Sequence, residues 1–218
     1  QYLTKKSTEI SNEDIDDYYL DVATLFADYD NLIMAKKWLA LMHDTDSDDY
    51  HELQGRIARG QGDFTESERI FNKLIDHDPY HTPYWNQLAS AQYLHNDVSS
   101  SIESSDFSLA INPDDADAIV NKANGLTLLG KYTEALNYYK RYKQLQPHSE
   151  IGDMGIATVF MGENKLEDAL KHWKIAEKSC NSQSVNMIDI LRNRCLVSAT
   201  LGHFDEAFQC ISKLESIA

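Results

Sequence analysis

The chain breaks into stretches of apolar and polar residues whose ends fall at a fixed interval. Pro79, Pro113 and Pro147 end apolar stretches and stand 34 residues apart, and Asn181 stands one step further on. Other columns keep the same step. A glycine or asparagine recurs at Gly62, Asn96, Gly130 and Asn164, then at Gly202 after four extra residues. Two places later comes an apolar residue: Phe64, Val98, Tyr132, Leu166, Phe204. Three places after that comes a small one: Ser67, Ser101, Ala135, Ala169, Ala207. Seven places before the glycine or asparagine stands another small one: Gly55, Ala89, Ala123, Ala157, Cys195.

Each column has a physical cause. Glycine and asparagine adopt positive φ readily, the conformation that stops a helix at its C-terminal end. That column therefore ends a first helix, A, and the apolar residue after it tucks the turn into the core. A second helix, B, runs to the proline column, because proline cannot continue a helix and restrains the residue before it. The small columns let A and B approach closely; a large side chain there would cost roughly 1–3 kcal/mol in overpacking. Asp63 with Glu66 fits a capping box for the second unit's helix B. Thr82 followed by Pro83 fits a cap and a first-turn proline for the third unit's helix A.

Taken together the columns resemble the tetratricopeptide repeat, which pairs two antiparallel helices per 34 residues. The matching stretches are 48–81, 82–115, 116–149, 150–183 and 188–218, with a weaker unit near 14–47 that carries Ala23, Leu32, Ala35 and Leu39. The unit from Ala116 to Ser149, with Gly130-Lys131-Tyr132-Thr133-Glu134-Ala135-Leu136, is the most typical. The resemblance implies an all-α fold: one array over residues 1–218, a right-handed superhelical solenoid of about six antiparallel helix pairs. Some features depart from the pattern. Trp85 alone stands where the family often has tryptophan early in helix A. Ser101, Ser105 and Ser108 replace apolar residues, so that helix B is expected to pack loosely or face water. Residues 184–187 read as a short insertion, and the spacing from the first unit to the second is irregular by about two residues. No further amphipathic helix follows Ala218. Either the natural chain continues there, or that uncapped end meets another chain, self-association included.

Charge narrows the partner classes. The formal net charge is −15, and residues 1–50 hold twelve Asp/Glu against four Lys. Phosphate binding needs clustered Lys and Arg, so nucleic acid is not an expected partner. The acidic first segment reads as a solvated, self-repelling surface or as a contact for a basic partner. Neither an apolar run of membrane-spanning length nor a signal-peptide pattern occurs. The chain opens on Gln1, so a removed targeting segment or a longer parent chain stays open. Cys180, Cys195 and Cys210 cannot all pair within one chain, and they read as buried free thiols that favour a reducing compartment.

Candidate chemistry is sparse. His43, Asp44, Asp46, Asp48, Asp49, His51 and Glu52 form the densest set of ligand-type side chains. Asp44, Asp46 and Asp48 copy the start of an EF-hand loop, but Asp49 stands where that loop needs glycine and Gly55 where it needs glutamate. A solvated junction that caps the next helix is the better reading. His77 and His81 are four apart, yet Pro79 between them breaks helical geometry. Neither HExxH, GxSxG nor a phosphate-cradling glycine loop is present, so no enzyme activity, metal or cofactor is expected. Trp38, Trp173, Tyr138, Tyr139 and Tyr142 read as core.

In the resembled family, the fifth, sixth, ninth and twelfth places of helix A line a concave face. Carried over place by place, they imply Glu52, Leu53, Arg56 and Arg59, then Asn86, Gln87, Ser90 and Tyr93. Next come Val120, Asn121, Asn124 and Thr127; Met154, Gly155, Thr158 and Met161; and Arg192, Asn193, Leu196 and Ala199. Of these, Arg56, Arg59, Asn86, Gln87, Ser90, Asn121, Asn124, Thr158, Arg192 and Asn193 form the expected partner-binding set. The amide recurs at the sixth place as Gln87, Asn121 and Asn193, and Gly155 breaks it. Amides donate and accept, which suits the backbone of an extended peptide; the alternative is polar filling of a wet groove. The lysines that grip chaperone C-termini in that family are largely absent, and Lys122 falls at the seventh place. Arg56, Arg59 and Arg192 are the candidates for holding an acidic group. The implied function is a protein–protein interaction scaffold, or else the sensor module of a larger signalling protein.

Overall fold

The computed structural model describes residues 11–182 and 184–217, which form twelve α-helices and, among them, no strand. The chain divides between Asn96 and Asp97 into two compact units. The first holds α1 (Asn12–Asp28), α2 (Leu32–Leu39), α3 (Asp48–Gly60), α4 (Phe64–His77) and α5 (Thr82–Leu94). The second holds α6 (Val98–Ile111), α7 (Ala116–Leu128), α8 (Tyr132–Leu145), α9 (Ile151–Gly162), α10 (Leu166–Ser179), α11 (Val185–Thr200) and α12 (Phe204–Ile217). The two helices expected of the third hairpin therefore fall in different units. Within each unit every helix packs on the next, and A helices also touch one another: α1 on α3, α3 on α5, and α7 on α9. Among the described residues no helix is long and apolar enough to cross a membrane.

The turn column behaves as its chemistry demands. Gly62, Asn96, Gly130, Asn164 and Gly202 all take positive φ, between 57° and 81°. The residue after each of four of them sends its N–H back across the helix end, as Asp63 to the Ala58 carbonyl at 2.9 Å and Lys131 to the Leu126 carbonyl at 2.9 Å. This geometry satisfies carbonyls that the helix end leaves open. The first hairpin uses Asp30, with φ 58°, in the same role. It lies 32 residues before Gly62, which accounts for the irregular first spacing. Nothing lies near the place a Cβ would take on Gly130. Gly130→Val is therefore expected to cost only the left-handed backbone penalty, about 1–2 kcal/mol, read as a lowered thermal midpoint with unchanged helix content.

The small columns sit in the interior. Ala89, Ala123 and Ala157 are fully buried, as are Ser67, Ser101, Ala135 and Ala169. A Cβ on Gly55 would come within 2.8 Å of the Phe71 ring, so α3 and α4 meet at a distance that only glycine allows. Around these contacts the first unit buries two clusters, one with Ala35, Leu53 and Ile57 and one with Phe71, Leu74 and Leu88. The second unit centres on Tyr139, Ile156 and Val159, and on Leu170, Trp173 and Ile190.

Several expectations need correction. Ser101, Ser105 and Ser108 do not face water; all three are fully buried. Ser105 Oγ donates to the Ser101 carbonyl at 2.8 Å, so this hydroxyl is satisfied within its own helix and needs no solvent. Thr82 does not cap α5. His81 stands at the cap without a side-chain bond, and Thr82 is already helical. Asp63 does cap α4 through the Glu66 N–H at 3.1 Å. The Glu66 carboxylate, however, turns to Arg69 at 2.7 and 2.8 Å instead of closing a capping box. The short insertion falls at the start of a helix. Ser184 caps α11 and Val185–Met187 lengthen it, giving 16 residues against 13 in α7. Of the thiols only Cys210 is buried; Cys180 and Cys195 are half-buried. The apolar column opens every B helix, but Phe204 is exposed rather than tucked in.

Candidate functional site

The expected binding residues lie on A helices in both units. In the first unit, Arg56 on α3 pairs with Asp28 of α1. One turn on, Arg59 Nη1 donates to Ser90 Oγ of α5 at 2.6 Å. Burial pulls the Arg59 guanidinium below its ordinary range, and the neighbouring Arg56 charge adds to the pull. Burial likewise pushes the Glu52 carboxyl up, against the attraction of Arg56 and His81. On α5, Asn86 is buried and Gln87 is half-buried, with its Oε1 enclosed and without a hydrogen-bond donor among the described residues. Gln87 and Ser90 are three apart and so share a helix face.

In the second unit, Asn121 and Asn124 are half-buried on α7. Asn124 Oδ1 accepts the Tyr139 hydroxyl at 2.6 Å. This amide is thus engaged with the core rather than waiting for a ligand. Thr158 is exposed on α9, its hydroxyl donating to its own helix at Met154 O, 2.9 Å away. Asn193 donates to the Asp189 carbonyl one turn back on α11, at 2.8 Å. Arg192 is exposed, with the Asp189 carboxylate 3.9 Å away. Gly155 does not line a groove at all: it is buried, and a Cβ there would lie 2.1 Å from Cε1 of Tyr139. The break in the amide column has a packing cause. Lys122 turns to Asp106 and lies 4.9 Å from the centre of the Tyr138 ring.

Solved structures share this architecture. TTC0263, a thermophilic TPR protein of Thermus thermophilus, superposes with TM-score 0.74 at 13% identity, over 84% of this chain and 98% of its own. PilF of Pseudomonas aeruginosa gives 0.67 at 14%, over 94% and 93%. A tetratricopeptide repeat protein of Parabacteroides merdae ATCC 43184 gives 0.66 at 14%, over 93% and 80%. The chain has the tetratricopeptide-repeat fold. No protein-family model matches it, and no curated protein matches it by sequence.

The remaining polar clusters serve this tetratricopeptide-repeat fold. The acidic stretch after α2 is organised by Asp16, which no sequence pattern marks. Its buried carboxylate accepts the N–H groups of His43 at 2.9 and 3.0 Å and of Asp44 at 2.8 Å, and meets His43 Nδ1 at 2.8 Å. Burial opposes that charge, but the backbone donors outweigh it and hold the carboxyl below its ordinary value. Ser47 then caps α3 through the Tyr50 N–H at 3.3 Å. Among the described residues no group of three or more His, Cys, Asp or Glu could hold a metal ion. His77 meets Asp48 at 2.7 Å, while the His81 ring packs at a tilt against Tyr84, so the two do different jobs. Trp85 Nε1 donates to the Pro79 carbonyl at 2.8 Å, fastening the proline turn to α5. Glu177 of α10 binds Arg194 of α11 and Lys213 of α12, a tie between three helices. On α12, Phe204, Phe208 and Ile211 stand exposed.

Proposed function

We propose that this chain is a protein–protein interaction scaffold that holds a partner protein, binding an extended segment of it along the faces of its A helices. One observation carries the reading. Arg59, Gln87 and Arg192 stand at places that the resemblance assigns to a binding face, and none of the three is buried. Side chains that donate and accept suit the main chain of an added peptide. A fold of packed hairpins presents such groups at fixed spacing without needing a cavity.

The test is a selection of displayed random peptides on the full chain, followed by affinity measurement on two separate variants, Gln87→Ala in the first unit and Asn121→Ala in the second. Asn124 stays untouched, because its loss would strand the Tyr139 hydroxyl and confuse binding with stability. We expect about a tenfold loss of affinity, the size of one or two hydrogen bonds, with a thermal midpoint close to the parent's. Unchanged affinity in a folded variant, or a selection that returns no binding peptide, would overturn the reading.

A further inference from the structure

We propose that Cys195 of α11 and Cys210 of α12 form a dithiol modification site, which a small-molecule disulfide oxidises to a bond across the last hairpin. Neither thiol stands at a place assigned to the binding face, so the site is independent of the scaffold reading. The hairpin register puts the two side by side. Cys195 lies seven residues before the turn residue Gly202 and Cys210 eight after it, so the antiparallel helices carry both to one level. The second hairpin measures that level, because Gly55 lies seven before Gly62 and Ile70 eight after it. The two turns match. Their φ values are 81° at Gly62 and 80° at Gly202. The next residue returns its N–H to the Ala58 carbonyl at 2.9 Å in one and to the Ser198 carbonyl at 2.8 Å in the other. A Cβ on Gly55 would lie 3.2 Å from Cγ2 of Ile70. A γ carbon lies about 1.5 Å from its own β-carbon, so the β-carbons at these places stand no more than about 4.7 Å apart, at the edge of the roughly 3.5–4.5 Å that a disulfide spans. In the last hairpin itself, Cys210 belongs to a buried cluster with Met187 and Leu191, and Cys195 packs against that cluster.

Exposure sets the order of events. Cys195 is half-buried and Cys210 fully buried, so the reagent meets Cys195 first. The Cys195 thiolate attacks one sulfur of the reagent's disulfide, expels one small thiol and keeps the other as a mixed disulfide. The Cys210 thiolate then attacks Cys195 Sγ and expels the second small thiol. Two protein thiols are oxidised, the reagent's S–S bond is reduced, and the two small thiols carry off the two protons. Burial pushes the Cys210 thiol up, and Cys195 is among the neighbouring groups that add to this, so Cys210 is the resolving sulfur and not the first nucleophile. Cys180 is out of reach. It meets Ser184 at the start of α11, and Cys195 is 11 residues further on, about 16 Å along the helix axis. The new bond closes a loop of 15 residues, from 195 to 210, and staples α12 to α11.

The reduced full chain is incubated with glutathione disulfide, quenched with iodoacetamide and digested with trypsin, which releases residues 195–213 as one peptide between Arg194 and Lys213. We expect that peptide to carry no alkyl group and to be two hydrogens lighter. The thermal midpoint should rise by several degrees on oxidation and return with dithiothreitol. Cys210→Ser should stop at glutathione on Cys195, and Cys180→Ser should leave the bond forming as before. A 195–213 peptide with two alkyl groups, glutathione that stays on Cys195 of the parent, a bridge that includes Cys180, or closure only after urea unfolds the chain would each overturn the assignment. The mass of the parent's peptide needs no variant, so it decides even where Cys210→Ser fails to fold.

Discussion

Gly155→Ala is expected to lower the thermal midpoint by several degrees, and Gly155→Leu to unfold the packing of residues 97–218. An alanine normally stabilises a helix interior over glycine by about 1 kcal/mol. Here the added Cβ would sit 2.1 Å from Cε1 and 2.4 Å from Cζ of Tyr139. The ring cannot swing aside cheaply. It is 2% exposed, and its hydroxyl is tied to Asn124 at 2.6 Å. Overpacking in a close-packed core costs roughly 1–3 kcal/mol and more for larger side chains, so the clash outweighs the propensity gain for alanine and far exceeds it for leucine. Thermal melts by circular dichroism read the outcome. Combining Gly155→Ala with Tyr139→Leu should recover part of the loss, because the two groups compete for one volume. A Gly155→Ala protein that melts at or above the parent would show that α8 and α9 do not meet this closely.

The second large effect is at Asp153. This carboxylate on α9 is 3% exposed and lies 2.8 Å from Lys143 Nζ of α8 and 2.7 Å from His172 Nδ1 of α10. Asp153→Ala removes the anion and strands both partners. Breaking a buried pair this way costs roughly 3–5 kcal/mol, but Lys143 and His172 keep some contact with water, so about 2–3 kcal/mol is the expected loss at neutral pH. Burial by itself would raise the Asp153 carboxyl; hydrogen bonds from His172 and Lys143 outweigh it and leave it below its ordinary value. A lowered folded value means stabilisation that is present above the unfolded value, near pH 4. It is lost as pH falls through the folded one. The gap in stability between parent and Asp153→Asn, read from urea unfolding at several pH values, should therefore be wide at neutral pH and close in acid. A gap that stays constant down to acid would remove the ionic role.

How much of this was legible varies by residue, and the dividing line is physical. Positive φ at Gly62, Asn96, Gly130, Asn164 and Gly202 follows from each residue's own backbone preferences, so the hairpin rhythm could be read directly. Asp30 escaped that reading because aspartate takes the left-handed region less often, and only the helix ends around it show the turn. The burial of Ser101, Ser105 and Ser108 was unreadable, since a serine hydroxyl that finds a partner inside the fold, as Ser105 does on its own helix and Ser108 at Asp115, behaves as a small core residue. On the candidate site, the carried-over places put Arg59 and Ser90 on the list, but nothing in the order of residues says that they bond each other. The same holds for Asn124, whose partner Tyr139 lies on the adjoining helix.

Residue order alone sets the cadence: where each helix stops, which places must be small, and that the fold is built of paired helices. These depend on local backbone energetics and on side-chain volume, both carried by the residue in question. Which polar groups are already engaged emerges only when the helices pack. Asp16 closing the loop at His43, Asp153 between Lys143 and His172, and Arg59 bonded to Ser90 of α5 are outcomes of distance between helices. Electrostatic partnership depends on separation and burial, which no single stretch of chain specifies.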